Sequence, residues 1–491
     1  MMDFKKITIN NYKKFKFYED FMKNSTQDEF VKSQIPFYHA VNNFPRALCY
    51  LGYLIKDSNI RLSIIENLYE EHGQGKSENF HINTYHKYLL SISNGYKLLD
   101  NPWITEWINS WFSSSDAFHT ALRLSAIEYL YAPISASISN HIDSLHIYSQ
   151  QAHYKKHAIL DWEHGKELLN VALSLKGTYT DDEIEKYFNI YQQEFLNVFK
   201  GMICLTLKEV KDISVEPIAF YYLREDSNIT SNLPGKNIIM ICSGGEGVFN
   251  MLSKQGEKDL AIIDINEHQL NLFYDKMKLL LSNQTPNEMN IGKFEKLFLS
   301  LRNRFSEQDL IAMEFANYIN KDKLQFAIND IFSRTNLQII FGDDAVIFTE
   351  KSFSEHFCKV FLEYNNSIFA KENKNNIFHG MKFSYPVLDM KDKRINTIQC
   401  SIKKADFLSK IKFMNGKKAD IIDLSNVGDW MPLTDFDVLL QECFKHLNPG
   451  GHIVLRKLLG NYDLDKMMKK YFETQKYKDM FYEETIIGKK R

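Results

Sequence analysis

At 491 residues the chain is longer than one ordinary hydrophobic core organises, so two domains are expected. A formal net charge of −2, with no dense Lys/Arg run interleaved with aromatics, excludes nucleic acid as an expected partner. The six cysteines are scattered without CxxC or zinc-finger spacing and read as reduced core thiols. MMDFKKITINNYKKF has no apolar signal core, and no stretch approaches the roughly 18 to 20 apolar residues that cross a bilayer. A cytoplasmic protein without stable membrane insertion is therefore expected.

From about residue 15 to 200, apolar residues recur at three and four. FPRALCYLGYLI, HKYLLSIS, NSWFSSSDAFHTALRLSAIEYLY and EKYFNIYQQEFLNVFKGM predict long helices, and residues 1–205 read as an all-α domain. Beyond residue 205 the pattern becomes short β-rich runs alternating with helices: NIIMIC, LAIIDI, LQFAI, TIQCSI, ADIIDLS and GHIVLRK. Residues 206–491 therefore read as an α/β domain, a parallel sheet covered on both faces. KENKNNIFHG is expected to be an exposed loop.

The first half carries its chemistry in HAILDWEH. His157, Asp161 and His164 stand at i, i+4 and i+7, so a helix presents all three on one stripe that can chelate a metal. The same spacing also arises on an ordinary solvated helix face. Upstream, Gly73 and Gly75 in EHGQGKSENFH are expected to end one helix after Glu71, with His81 delivered by the next. Glu128 sits in the apolar run ALRLSAIEYLYAPI, where an unpaired carboxylate is costly to bury. Ten of the fifteen histidines precede residue 165. Imidazole with carboxylate suits iron or manganese better than thiolate-rich structural zinc, and three negative charges against two ferrous ions point to oxygen activation.

ENLYEEHGQG, His81, Glu128 and HxxxDxxH together resemble the haem-oxygenase-like diiron oxidases and oxygenases. The resemblance implies a helical bundle with Glu71, His81, Glu128, His157, Asp161 and His164 as ligands to two irons, and O2 as co-substrate. A further carboxylate expected from an earlier helix has no counterpart, since residues 37–56 contain neither Asp nor Glu. His39 is the replacement considered there, with an ordinary helix-surface histidine as the alternative. A missing ligand leaves open a labile second iron or a mononuclear site.

In the second half, NIIMICSGGEGVFNMLSKQG reads as strand, glycine turn and helix. Gly244, Gly245 and Gly247 allow close backbone approach, and the next strand ends at Asp264, placed to accept hydrogen bonds from ribose hydroxyls, with Asn266 close behind. Glycine turns also precede helices in α/β proteins that bind no nucleotide. The spacing departs from GxGxxG, Asp406 follows a third strand as an adenine-side partner, and LNPGGHIVLRK supplies a late turn and strand. S-adenosylmethionine therefore outranks NAD.

FYYLREDSNI, ICSGGEGVFNML, AIIDINEHQLNLFYDKMKLL, IIFGDDAV, DLSNVGDWM and PGGHIVLRK resemble, in order, the transferases that move a 3-amino-3-carboxypropyl group from S-adenosylmethionine to diacylglycerol in betaine-lipid synthesis. The resemblance implies a Rossmann-like transferase fold, with Tyr222, Arg224, Glu225 and Asp226 lining the donor site and Ser243, Gly244 and Asp264 at its nucleoside end. Asn426, Asp429 and Trp430 would lie near the acceptor. Arg224 can hold the methionine carboxylate as a bidentate pair, or lie at the surface paired with Glu225 or Asp226. No conspicuous membrane-binding face is present, so a soluble acceptor is expected.

Together these expectations describe a bifunctional biosynthetic enzyme. Oxidation of a small amine or amino-acid-like molecule at iron, served by an external electron donor, is joined to aminocarboxypropyl or methyl transfer on the same scaffold. The rival readings are a lone oxygenase whose second domain only binds a nucleoside, and a transferase whose helical domain is a binding module. Self-association through the helical domain is a further expectation.

Overall fold

The computed structural model describes residues 3–491 apart from 94, 146–148, 224, 287–291, 316–319, 348–352, 367–384, 403–406 and 480. The chain forms two compact units, Met1–Lys208 with Arg304–Ser306, and Glu209–Asn303 with Glu307–Arg491. The first unit thus runs past residue 205 and takes in residues 304–306, which the sequence reading assigned to the second.

The first unit is helical. Its helices are α1 (Phe4–Tyr12), α2 (Lys16–Asn24), α3 (Gln27–Gln34), α4 (Phe37–Leu54), α5 (Ser58–Glu71), α6 (His81–Ile92), α7 (Pro102–Trp111), α8 (Ala117–Ser144), α9 (Ala152–Ser174) and α10 (Asp181–Met202). Polar caps set several of the boundaries. The Asp57 side chain accepts from Asn59 and Ile60 N–H to start α5, and Asn101 caps α7 with Pro102 at its first position. The run NSWFSSSDAFHTALRLSAIEYLY is not one helix: α7 ends at Trp111, and Asp116 caps a new helix at Ala117. Gly73 and Gly75, at φ of 57° and 83°, turn the chain between α5 and α6.

Helices α8 and α9 form the central pair. α8 is buried on nearly every side, as an apolar run without a polar stripe requires. Close approach depends on Gly165, where a Cβ would lie 2.8 Å from the Tyr129 ring and 3.0 Å from its backbone nitrogen. The Gly165 carbonyl also accepts from the Ser125 hydroxyl at 2.7 Å. Gly165→Ala is expected to force the helices apart and cost about 1–3 kcal/mol, read as a lower denaturant midpoint.

The second unit is built on a seven-stranded mixed sheet of order β3-β2-β1-β4-β5-β7-β6. The strands are β1 (Asn237–Ile241), β2 (Lys258–Asp264), β3 (Lys393–Gln399), β4 (Ala419–Asp423), β5 (Leu447–Lys457), β6 (Glu473–Tyr477) and β7 (Glu484–Lys489). β1 to β5 are parallel to one another, and β7 runs antiparallel to β5 and β6. Alternate residues feed two cores: Ile239, Ala261 and Ile422 belong to one, Ile238, Leu260 and Ile421 to the other. Both faces are therefore covered.

LQFAI is not a strand. Residues 324–328 lie in a helix, Lys321–Ile331, capped by Asn320, with Leu324, Ala327, Ile328 and Ile331 buried at helical spacing. β6 and β7 were not anticipated. KENKNNIFHG lies outside the described residues. Among the described residues no helix is long and apolar enough to cross a membrane.

Candidate functional sites

α9 turns His153, His157, Asp161 and His164 toward the interior, and all four are buried. α5 ends on Glu71, α6 begins on His81, and Glu128 projects from the middle of α8; these three are buried as well. Ligand atoms of Glu71, Glu128 and His164 lie within 4.8 Å of one another, and so do those of Glu128, His157 and Asp161. Glu128 belongs to both groups. His81 adjoins them, its Nδ1 2.8 Å from Glu71 Oε1 and its ring centroid 4.6 Å from that of His157.

The hydrogen bonding within the cluster leaves particular atoms free. His157 Nδ1 and Asp161 Oδ1 are 2.7 Å apart, while His157 Nε2 and Asp161 Oδ2 are buried without a partner. His164 Nε2 is 3.2 Å from Glu70 Oε2, and its Nδ1 is likewise buried and free. Such second contacts orient imidazole ligands in metal sites, and the free atoms belong to residues of the two groups. Burial, reinforced by Asp161 and Glu71, pushes the Glu128 carboxyl well above its ordinary range. Burial and the Glu71 charge do the same to Asp161. For Glu71 burial also works upward, but His81, His157 and His164 outweigh it and hold the group low. The His157 imidazole is pushed well down by burial, then by His81. Three buried carboxyl groups among buried imidazoles form a donor set that a dication fits and that is electrostatically costly without one.

The structure does not bring His39 into this cluster. Phe37, Ala40, Val41 and Phe44 are the α4 residues that line the adjoining cavity of about 40 Å³, and His39 lies on the opposite side of that helix. His153 went unrecognised although it stands four residues before His157. Its ring is 4.3 Å from that of His157, and its Nε2 is 3.1 Å from the Tyr131 hydroxyl. Glu70 and Lys156 were also missed; the Lys156 ammonium is 3.0 Å from His81 Nε2.

In the second unit a cavity of about 490 Å³ brings together Tyr222, Ser243, Asp264, Asn266, Asn426, Asp429 and Trp430. Asp264 closes β2, where its carboxylate accepts from Ser243 N–H at 3.3 Å and Asn266 N–H at 2.9 Å. Burial pushes its pKa up to about 6. Asn266 caps the helix that follows, accepting from His268 N–H and donating to the Pro217 carbonyl.

Several other residues expected at the donor site are placed differently. A Cβ on Gly244 would meet the backbone of Tyr221 and Leu223 at 2.8 Å, so this glycine admits the 221–223 segment, and neither it nor Gly245 lines the cavity. Gly245, at φ 94°, makes the turn into helix Glu246–Leu252. Lys276 and Glu246 form a buried ion pair at 2.6 Å that clamps the turn: Lys276 donates to the Gly244 and Tyr221 carbonyls, and Glu246 accepts from Leu223 N–H. Glu225 is not among the residues lining the cavity and pairs with fully buried Arg456 at 2.7 Å, beside Asp423 and Asp479. Asp226 caps a short helix. Asp429 lines the cavity, but its carboxylate accepts from Leu458 N–H, Gly460 N–H, the Asn426 amide and the Tyr462 hydroxyl. With those positions filled it organises the loop after β5 and is not free to act as a base. Arg224 and Asp406 lie outside the described residues. Gln269 and Lys293 line the cavity and were not anticipated.

Residues 34–190 match the family described as iron-containing redox enzyme. The matched segment lies within the first unit and contains every residue of the carboxylate and imidazole cluster. No curated protein matches the chain.

Proposed function

We propose that the helical unit is a non-haem two-iron oxidase or oxygenase and that the second unit is an S-adenosylmethionine-dependent transferase, the two acting in turn on one small-molecule scaffold in the making of a specialised metabolite. The observation that carries the first half is that Glu128 belongs to both three-residue groups, so that two metal ions could be held side by side. Glu71, His81 and His164 would hold one ion, and His157 and Asp161 the other. Bound iron would supply O2 binding and one-electron chemistry, with electrons from an external donor. The protein's own part is to hold the imidazoles in one orientation through Glu70 and Asp161, and to keep bulk water from a small, largely apolar cavity.

For the second half, the strand order reverses between β1 and β4, and open α/β sheets bind ligands outside the carboxyl ends of the strands at such a point. Ser243 after β1, Asp264 at the end of β2 and Asn426 after β4 all line the large cavity there, which supports a nucleoside-bearing donor. The sulfonium already carries a good leaving group, so the site's task is to align a nucleophile. Asp264→Ala is expected to weaken S-adenosylmethionine binding by about 1.5–3 kcal/mol in calorimetry, the range for a hydrogen bond to a charged group. In the native protein affinity should fall as the pH drops below about 6, because protonation removes the acceptor the ribose hydroxyls need.

Product analysis tests the pair. Release of 5′-methylthioadenosine indicates aminocarboxypropyl transfer, and S-adenosylhomocysteine indicates methyl transfer. Failure to bind S-adenosylmethionine, or O2 uptake indifferent to bound iron, defeats the corresponding half.

A further inference from the structure

The cavity beside the cluster has walls of two kinds. Glu71, His81, Glu128, His153 and His157 contribute polar atoms, and most of the remainder is aromatic: Phe37, Phe44, Trp107, Trp111, Tyr131 and Phe195. Trp107 and Trp111 stand one turn apart on α7 and are 5 % and 1 % exposed. Neither indole Nε1 has a hydrogen-bond partner. Buried donors are rarely left so, and an indole N–H can only donate. The rings are also fixed. Trp107 stacks on Phe195 at 4.6 Å with 4° between planes, and its centroid is 4.7 Å from that of Trp111 in an edge-on pair.

We propose that these two indoles recognise the substrate of the helical unit by an acceptor oxygen, a carboxylate or amide carbonyl, with an apolar portion of the molecule lying between them and the carboxylate and imidazole cluster. The proposal rests on the reading of that cluster as the metal site and names the substrate class for it. A bare ammonium offers only donors, so it cannot take this position. An amino-acid-like substrate is therefore held by its acid end. The cavity, about 40 Å³, admits a molecule of a few heavy atoms.

The test uses the full chain, labelled with ¹⁵N at tryptophan and loaded with diamagnetic Zn(II), with propionate, propionamide and propylammonium as size-matched probes. Of the five indole N–H resonances, two should move downfield with propionate and with propionamide, and none with propylammonium. Trp107→Phe and Trp111→Phe keep a flat ring without the donor; each should delete one of the two moving resonances and weaken propionate binding about 10-fold. A propionate response without a propionamide response assigns the oxygen to a carboxylate. Absence of any shift, an equal response to propylammonium, or movement confined to resonances that survive both substitutions overturns the proposal; the last two would mean that the ring faces already satisfy these donors. The discrimination among probes is read on the native chain and so stands even if a variant folds poorly. Iron content measured on a parallel sample keeps the two readings apart: iron bound without an indole response defeats only this proposal, whereas failure to bind metal defeats the reading beneath it.

Discussion

In metal-free protein Glu128 and Asp161 will contribute stability that is lost as the pH rises out of the acid range, and bound iron will abolish that loss. Glu128 and Asp161 both have pKa values raised by burial and by neighbouring carboxylates, so the folded state holds their protons more tightly than the unfolded chain does. Their contribution is fully present below the ordinary carboxylate range and fades as pH climbs through the folded-state values. Glu71 is lowered and acts in the opposite sense, its contribution being lost on acidification. His153 and His157, held low by burial, act in the same sense as Glu71 near their ordinary range, so the fall due to Glu128 and Asp161 is read as the difference between the native chain and a variant lacking one of those carboxyls. Glu128→Gln sharpens the test because its two effects have opposite signs. Removing one of three crowded titratable carboxyls should raise the melting point of metal-free protein at pH values where the native group is ionised. Loss of the carboxylate common to both groups should weaken iron binding by more than the roughly 10- to 100-fold typical of outer-shell substitutions. Thermal melts of metal-free and iron-loaded protein across pH, with iron analysis of the variant, check both signs.

Lys276→Met should destabilise the second unit by about 3–5 kcal/mol, the cost of leaving the Glu246 charge buried without its partner. The effect is local in origin. Lys276 and Glu246 together hold residues 221–223 against the glycine turn, so hydrogen exchange at Leu223 and Gly244 should accelerate before the sheet opens. Adding Glu246→Gln to Lys276→Met should recover much of the loss, because the amide oxygen can still accept from Leu223 while the unpaired charge is gone. Both variants should bind S-adenosylmethionine less well than native protein, the single one more severely. A Lys276→Met chain as stable as native would show that the pair does not hold the turn.

The helical site was legible wherever one helix supplies several of its groups. The α9 stripe follows from spacing alone, and the same spacing extended one turn back would have found His153. His39 was misplaced because composition shows that α4 lacks a carboxylate but not which side of α4 faces the cavity. Trp107 and Trp111 were invisible as functional groups for a related reason: an aromatic stripe on a helix reads as core until the donors are seen to lack acceptors. In the second unit Ser243 and Asp264 were readable from the strand–turn–helix pattern. Glu225 was not, since its partner Arg456 comes from β5, far along the chain. Gly244 and Gly245 have the residue type of a phosphate-approach turn, but the neighbour that demands a glycine is the protein's own 221–223 segment. LQFAI shows the limit of short apolar runs, which fit a strand until the Asn320 cap and the helical repeat of buried residues beyond it are seen.

The membership of Glu128 in both ligand groups predicts two metal ions per chain. Anaerobic reconstitution of the full chain with Fe(II), followed by removal of loosely held metal and iron analysis, should give about two irons per chain in the native protein, the stoichiometry of di-iron carboxylate sites built in helical bundles. The same procedure on Glu128→Gln should leave far less. A native stoichiometry of one or none, or a Glu128→Gln chain that retains iron like the native protein, would contradict the account.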